Sequence, residues 1–345
     1  MAQTVERNPH SAVRPEWLAL RTEAILEPEL KIVDPHHHLW DRADNPYLFH
    51  DLLADMNAGH RVVSTVFVQC RSMLRKDGPS ELAPLGEVEF VTGIAAMAAS
   101  GIYGSARACA GIVAGADLQL GDRVAPVLDL MAHSAGGRLR GVRNPVVWHS
   151  SPDVQSSTAA PPPKGLMADT AFRKGVAQLG LLGLSLDVWA YHTQLEEIYE
   201  LAKANPNVTV IVDHFGGPVG VGPHAADMTD MFKHWRADIA LVASLPNTVI
   251  KMGGAGMPVF GIRFDHESTP PASEQLAVAW KAYFETCIEC FGVDRCMFES
   301  NFPVDKGMFS YQVLWNGFKR LARACSATEK TALFSATAER VYRLR

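Results

Sequence analysis

Three consecutive histidines close an apolar, β-branched run near the start of the chain, Lys31-Ile32-Val33-Asp34-Pro35-His36-His37-His38. Side chains alternate along a strand, so this spacing sets Asp34, His36 and His38 on one face and His37 on the other. Two imidazoles at i and i+2, at the C-terminal end of a strand, form a ready pair of ligands for a divalent metal. Farther on, Val212-Asp213-His214-Phe215-Gly216-Gly217-Pro218 ends a second strand, with His214 expected to face inward beside Val210 and Val212. Its Gly-Gly-Pro turn lets backbone approach closely. A third segment, Arg295 to Asn301, puts Met297, Glu299 and Asn301 on one face. A carboxylate facing a protein interior is costly unless it is paired or metal-bound, so Glu299 is expected to serve as metal ligand or proton acceptor.

Arg143 shares an alternation set with Gly141 and Pro145. Its planar fork suits a carboxylate or a developing oxyanion, because it donates two hydrogen bonds at once. Gln69, Arg71, Asp187, His192 and Lys251 are weaker candidates for contacting substrate in the same pocket. Glu87 and Glu89 read as a helix-N-terminal charge and a surface group, either of which could reach a metal. Cys287 and Cys290 share a helix face, but a zinc site would need a second pair. His133, His149, His224, His234 and His266 have no partner spacing and read as surface or core residues.

What must hold these residues together is an alternation of short β-branched runs and amphipathic segments from residue 31 onward. Eight strands are expected, beginning near Lys31, Ser64, Cys109, Arg138, Leu184, Val208, Thr248 and Arg295. Helices are expected from Gly86, Asp169, Thr193 and Glu274, several with Asp or Thr at the start and Gly or Asn-Pro at the end. Eight units without a linker fit an α/β fold, a single (β/α)8 TIM barrel, better than an open doubly wound sheet, which would want a glycine fingerprint after strand one. Residues 1–30 read as an N-terminal arm and 31–345 as the barrel. The long loops Trp148 to Gly165 and Gly254 to Ser273, after strands four and seven, fall on the catalytic face as pocket walls or lids.

Composition narrows the partner. Lys and Arg total 32 against 37 Asp and Glu, a net charge of -5, so no basic surface is set for nucleic acid or anionic lipid and a small-molecule substrate is favoured. No apolar run in the sequence approaches the roughly 20 residues of a spanning helix, the first thirty residues lack a signal-peptide pattern, and a cytoplasmic location is expected. Six cysteines, mostly within apolar segments, read as reduced.

Together, D-x-H-x-H in strand one, D-H-x-G-x-P in strand six and F-x-S-x-x-P in strand eight resemble the amidohydrolase superfamily. The likeness runs from about Ile32 to Leu344, and within the superfamily points to amidohydrolase-2-type hydrolases, which include sugar lactonases and pyrone dicarboxylate lactonase. The resemblance implies that His36 and His38 bind a divalent metal, zinc foremost, or polarise a substrate carbonyl directly in the metal-free manner. It implies an acid, base, hydrogen-bonding or metal-ligating role for His214 and a substrate-holding role for Arg143. Two departures stand out. Asn301 occupies the place of the usual water-activating Asp, and an amide cannot act as that base. Strand five also offers no patterned histidine, and strand four no lysine or glutamate to bridge two metals. The first expectation is therefore a metal-dependent hydrolase of a lactone, amide or similar carbonyl compound. The alternatives are a Mn/Fe or di-iron oxygenase drawing on Glu299, Glu87, Glu89 and Asp187, or a catalytically silent subunit. A homo- or hetero-oligomer is expected.

Overall fold

The computed structural model describes residues 10–43, 45–155 and 161–344. Part of the N-terminal arm, residues 1–9, and part of the loop after strand four, 156–160, lie outside the described residues. Eight parallel strands pair in chain order: β1 (Lys31–His37), β2 (Arg61–Val68), β3 (Arg107–Ala114), β4 (Leu139–Arg143), β5 (Ser185–Val188), β6 (Val210–Val212), β7 (Thr248–Met252) and β8 (Cys296–Phe298). The seam is closed beyond the end of β8, where Asn301 N–H donates to His36 O at 2.9 Å and His38 N–H to Phe302 O at 2.8 Å. The fold is a (β/α)8 barrel.

A short turn of helix in the arm, α1 (Pro15–Leu18), precedes the barrel. One helix then follows each strand: α2 (Phe49–Met56), α3 (Leu85–Ala99), α4 (Ala125–Ser134), α5 (Thr170–Leu181), α6 (Leu195–Ala204), α7 (Met228–Ala243), α8 (Ser273–Phe291) and α9 (Tyr311–Leu321). Local chemistry sets their starts: Asp169 accepts from Phe172 N–H, Asp227 from Asp230 N–H and Ser310 from Val313 N–H, each satisfying a first-turn amide. The helix predicted from Thr193 stops at Ala204, before Asn205-Pro206, as the restriction on a residue preceding proline requires. With its leading turn, Ser80–Ala99 is one helix long and apolar enough by composition to cross a membrane, which the sequence reading did not anticipate; it packs on β3 and α4 as part of the barrel's outer ring.

Two apolar layers result. Ile32, Phe67, Ile112, Val142, Leu186, Val210, Val212, Ile250 and Phe298 face the helices. Val33, Val66, Val68, Val113, Ile211, Val249 and Met297 fill the interior, joined by Ala338 of α11 (Thr337–Val341), the helix that follows α10 (Ala327–Thr331), and by Tyr342. The described part of the arm lies along the chain's own barrel. Arg14 and Trp17 donate to carbonyls of Asp265 and Glu267, and Leu26 N–H donates to Asn316 Oδ1 on α9.

Two expectations about faces are corrected here. Val33 points inward, so Asp34 points outward, where Tyr311 OH and Ser300 N–H donate to its carboxyl, each at 3.0 Å. A register shift between Asp34 and His37 inserts Pro35 as an extra residue, which returns His36 and His38 to the inside without Asp34. On β6 the inward residue is Ile211, while Val210 and Val212 face the helices. His214 reaches the interior because its backbone adopts φ 56°, turning the chain out of the strand.

Candidate active site

At the C-terminal mouth of the barrel His36 Nε2 and His38 Nε2 lie 3.3 Å apart, both side chains buried. The other nitrogen of each ring fixes the tautomer. His38 Nδ1 meets Val68 O at 2.7 Å, and a carbonyl can only accept, so Nδ1 carries the proton. His36 Nδ1 meets Glu299 Oε2 at 2.7 Å, with the same consequence. Each Nε2 therefore presents a lone pair toward the other, an arrangement that calls for an electrophile between them. Burial and neighbouring cationic groups hold both imidazoles below their ordinary pKa, His38 well below it, so they are neutral ligands. This donor pair fits a divalent ion, with Glu299 and the Val68 carbonyl as the supporting partners that such histidines need.

Glu299 stands between two rings. Its Oε1 accepts from His214 Nδ1 at 2.6 Å and from His214 N–H at 3.0 Å, while Oε2 serves His36. Burial opposes ionisation of this carboxyl, but His214 and His36 more than offset it and hold it far below the usual carboxylate range. Both oxygens being engaged, Glu299 orients imidazoles; His214 keeps Nε2 for the pocket. The His214 ring lies 4.6 Å from that of His36 and 4.9 Å from the half-buried indole of Trp189. Arg143 reaches in from β4, Nη1 3.3 Å from His36 Nε2 and 3.5 Å from Asp213 Oδ2, with Nη2 donating to Gln69 O.

Beneath this layer lies a second one. Lys251 Nζ is 2.7 Å from Asp187 Oδ2, 3.2 Å from Asp213 Oδ1 and 3.1 Å from His36 Nδ1, and Tyr342 OH donates to Asp187 Oδ2 at 2.6 Å. Lys251, Asp187 and Asp213 are 0% exposed. Burial would neutralise the lysine, but Asp187 and Asp213 raise its pKa, and Lys251 and His36 in turn keep Asp213 ionised against its own burial.

The structure thus brings His36, His38, Arg143, His214 and Glu299 together and separates the rest. Asp187 and Lys251, expected to contact substrate, are sealed against each other below the mouth. Gln69 enters through its backbone oxygen. His192 accepts from Val219 N–H at 3.2 Å and packs its ring 4.8 Å from that of His224, tying two loops. Asn301 donates its amide to Asp305 Oδ1 at 2.9 Å and joins β8 to β1 through its backbone. Glu87 accepts from the amides of Cys70 and Ser72, and Glu89 pairs with Arg75 at the surface, so neither turns toward the histidines. All six cysteines are unpaired.

Sequence reading passed over three contributors. Asp213 adjoins His214 in the strand-six motif, and one donor atom from each of His36, Asp213 and His214 lies within 4.8 Å of the others. Asp305, whose carboxyl burial raises to about 7, braces Asn301 and accepts from Gly256 N–H. Gly254 adopts φ 68°, and a Cβ there would fall 2.3 Å from His214 Nδ1. The Lys251-Met-Gly-Gly-Ala-Gly run was the available signal for a backbone pressed against a functional group.

A family model described as amidohydrolase matches residues 33–344. An uncharacterized protein of Sinorhizobium fredii is 31% identical over 338 residues, covering 92% of this chain and 99% of the relative. An L-fucono-1,5-lactonase of Burkholderia multivorans is 26% identical over 325 residues, 90% of this chain and 96% of that protein. Among solved structures, an amidohydrolase of Burkholderia multivorans with bound HEPES aligns at TM-score 0.70 and 24% identity, over 91% of this chain and 99% of the other. A second crystal form of it, with bound zinc, aligns at TM-score 0.69 and 23% identity, with the same coverage.

Proposed function

The chain belongs to the amidohydrolase family and is an enzyme of that superfamily, and from this premise we propose that it hydrolyses a small cyclic ester of the sugar-lactone type. One observation carries the reading. His214 Nδ1 is held by Glu299 at 2.6 Å while the same carboxylate holds His36 at 2.7 Å, so a base and an electrophile-binding imidazole share one orienting group. Glu299 thereby meets the need created by Asn301, two residues on, for a strand-eight carboxylate. The silent-subunit alternative loses its motive. The oxygenase alternative loses three of the four carboxylates it drew on: Glu87, Glu89 and Asp187 are committed to loop amides, Arg75 and Lys251.

In this reading His36 and His38 would hold a divalent ion, which would supply Lewis acidity toward a carbonyl and a water. Arg143 donates to the carbonyl oxygen and steadies the negative charge as the water oxygen bonds to the carbonyl carbon. His214 Nε2 takes the proton released by that water, and the ionised Glu299 stabilises the resulting imidazolium. When the ring C–O bond breaks, the same imidazolium returns the proton to the leaving alkoxide. Trp189, beside His214, offers an aromatic wall for the ring of the substrate.

The name of the Burkholderia multivorans relative makes aldono-1,5-lactones the first compounds to try, against simple aliphatic lactones and cyclic amides. Acid release followed with a pH indicator should be fastest with the sugar lactones. Turnover confined to amides would transfer the mechanism to another bond, and no turnover of any carbonyl compound by metal-reconstituted protein would remove it.

A further inference from the structure

One buried carboxylate beside the mouth has no part in the proton path described above. Asp305 is 0% exposed, and among the described residues no lysine or arginine forms an ion pair with it, since its neighbour Lys306 is turned to Asp55 at 2.6 Å. Its Oδ1 accepts from Asn301 Nδ2 and its Oδ2 from Gly256 N–H, each at 2.9 Å. We propose that Asp305 is a positioning residue for His214, clamping the glycine backbone after β7 to the end of β8 and so fixing the ring between Glu299 and the mouth. The inference rests on the reading of His214 as proton acceptor in the preceding subsection.

Burial opposes ionisation of this carboxyl, and an apolar side chain of the same size would serve stability as well or better. What an apolar side chain could not do is hold two N–H donors from different segments at once. Those segments meet on His214. Gly256 ends the run Gly253-Gly254-Ala255-Gly256, in which Gly254 backs the ring so closely that a Cβ would fall 2.3 Å from His214 Nδ1, while a Cβ at Gly256 would fall 2.8 Å from Asp305 Cγ. Gly254 O accepts from Met257 N–H at 3.3 Å, so the run is a tight turn wedged between the imidazole and the carboxylate. Asn301 carries the clamp to the other side. Its backbone N–H donates to His36 O at 2.9 Å, and two residues earlier Glu299 holds His214 Nδ1 at 2.6 Å. Glu299 thus grips one edge of the ring and Gly254 closes its flank. Freed from Asp305, the turn would let the ring rotate, taking Nδ1 from Glu299 and Nε2 from the mouth.

The test reads the ring itself. Asp305→Asn keeps shape but leaves one oxygen for two donors, so one arm of the clamp is lost. Asn301→Asp combined with Asp305→Asn restores both hydrogen bonds, with the carboxylate now on the β8 side and the amide oxygen left for Gly256 N–H. Two-bond 1H–15N spectra of histidine-labelled full-length protein show which nitrogen of His214 carries the proton, the signal being assigned with His214→Gln. Wild type should show the Nδ1–H tautomer, Asp305→Asn a mixture of both, and the exchanged pair the wild-type pattern again. In parallel, kcat on the lactone should fall by about 10²-fold in Asp305→Asn with KM within about threefold, and recover to within about tenfold of wild type in the exchanged pair. A folded Asp305→Asn that keeps either the wild-type tautomer or the wild-type kcat overturns the inference, as does an exchanged pair that regains melting temperature without regaining the tautomer. Where Asp305→Asn does not fold, the exchanged pair decides: a single Nδ1–H tautomer supports the clamp, and a mixture overturns it. A wild type that turns over no lactone would defeat the preceding reading alone, because the spectra of His214 still decide this one.

Discussion

The mouth of the barrel and the layer just below it are built from the same kinds of residue and come to different ends. Below, Lys251, Asp187, Asp213 and Tyr342 satisfy one another at 2.6 to 3.2 Å and none is open to solvent. At the mouth, His36, His38 and His214 each have one nitrogen committed and turn Nε2 to the pocket, that of His36 also lying 3.3 Å from Arg143 Nη1. A charge whose partners are all protein contributes to the fold, and a lone pair without a protein donor is available for chemistry. Glu299 and His36 belong to both regions, and Arg143 crosses between them through its contact with Asp213.

The sharpest break between the two regions should come from replacing His36 and His38 with Ala. This removes both unused lone pairs, so metal retained after dialysis should fall to background and turnover by at least roughly 10³-fold, with a folded barrel by circular dichroism. Unchanged metal content would put the ion elsewhere, with Asp213 and His214 the next donors to replace. Glu299→Gln tests the residue that joins the regions. It keeps shape but replaces one acceptor with a donor, so turnover should fall by about 10²–10³-fold. If only the melting temperature fell, the role of Glu299 between the two rings would be structural rather than catalytic. Arg143→Lys should cost about 10²-fold in kcat/KM, since an ammonium cannot reproduce the fork that spans Gln69 O, His36 and substrate. A kinetically silent exchange would mean that its contact with Asp213 is its whole role.

The smallest effect lies outside both regions. Burial, assisted by His224 at one site and Lys319 at the other, holds His192 and His60 near about 4 in the folded protein, below the ordinary 6.5. On acidification the unfolded chain takes up these protons first. Their contribution is therefore intact above about pH 6.5 and is lost as pH falls toward about 4, by roughly 1–3 kcal/mol each. Urea titrations across that window should show the decline, and His192→Gln should flatten part of it. A His192→Gln curve parallel to wild type would mean that the imidazole takes up its proton at the same pH in the folded and unfolded chain.

Much of this architecture was legible along the chain, because the signals for it are local. Period-two runs marked all eight strands, with starts within three residues of those observed, and Asp169 marked the N-terminus of α5 by a hydrogen bond made within four residues. The histidine pair at 36 and 38 was legible for the same reason, since alternation within one strand needs no knowledge of the rest of the fold. Arg143 and Glu299 followed the same rule.

Tertiary structure decided what alternation could not. An extra residue at Pro35 shifts the β1 register and sends Asp34 to Tyr311 and Ser300, because in a period of two a single insertion exchanges the faces. A left-handed backbone at His214, admitted by a Cβ-free position at Gly254, swings that ring into the mouth, although Val210 and Val212, the set it was expected to share, face the helices. Whether a buried carboxylate works or merely balances a charge depended on which strand ends face it across the barrel. Asp187 met Lys251, 64 residues away, while Glu299 met His214, 85 residues away, and only closure of the barrel brings such groups within hydrogen-bonding distance. The residue types able to do chemistry were written in the chain, and their division into a sealed layer and an open one was made by folding, because pairing energies depend on distances that sequence separation does not fix.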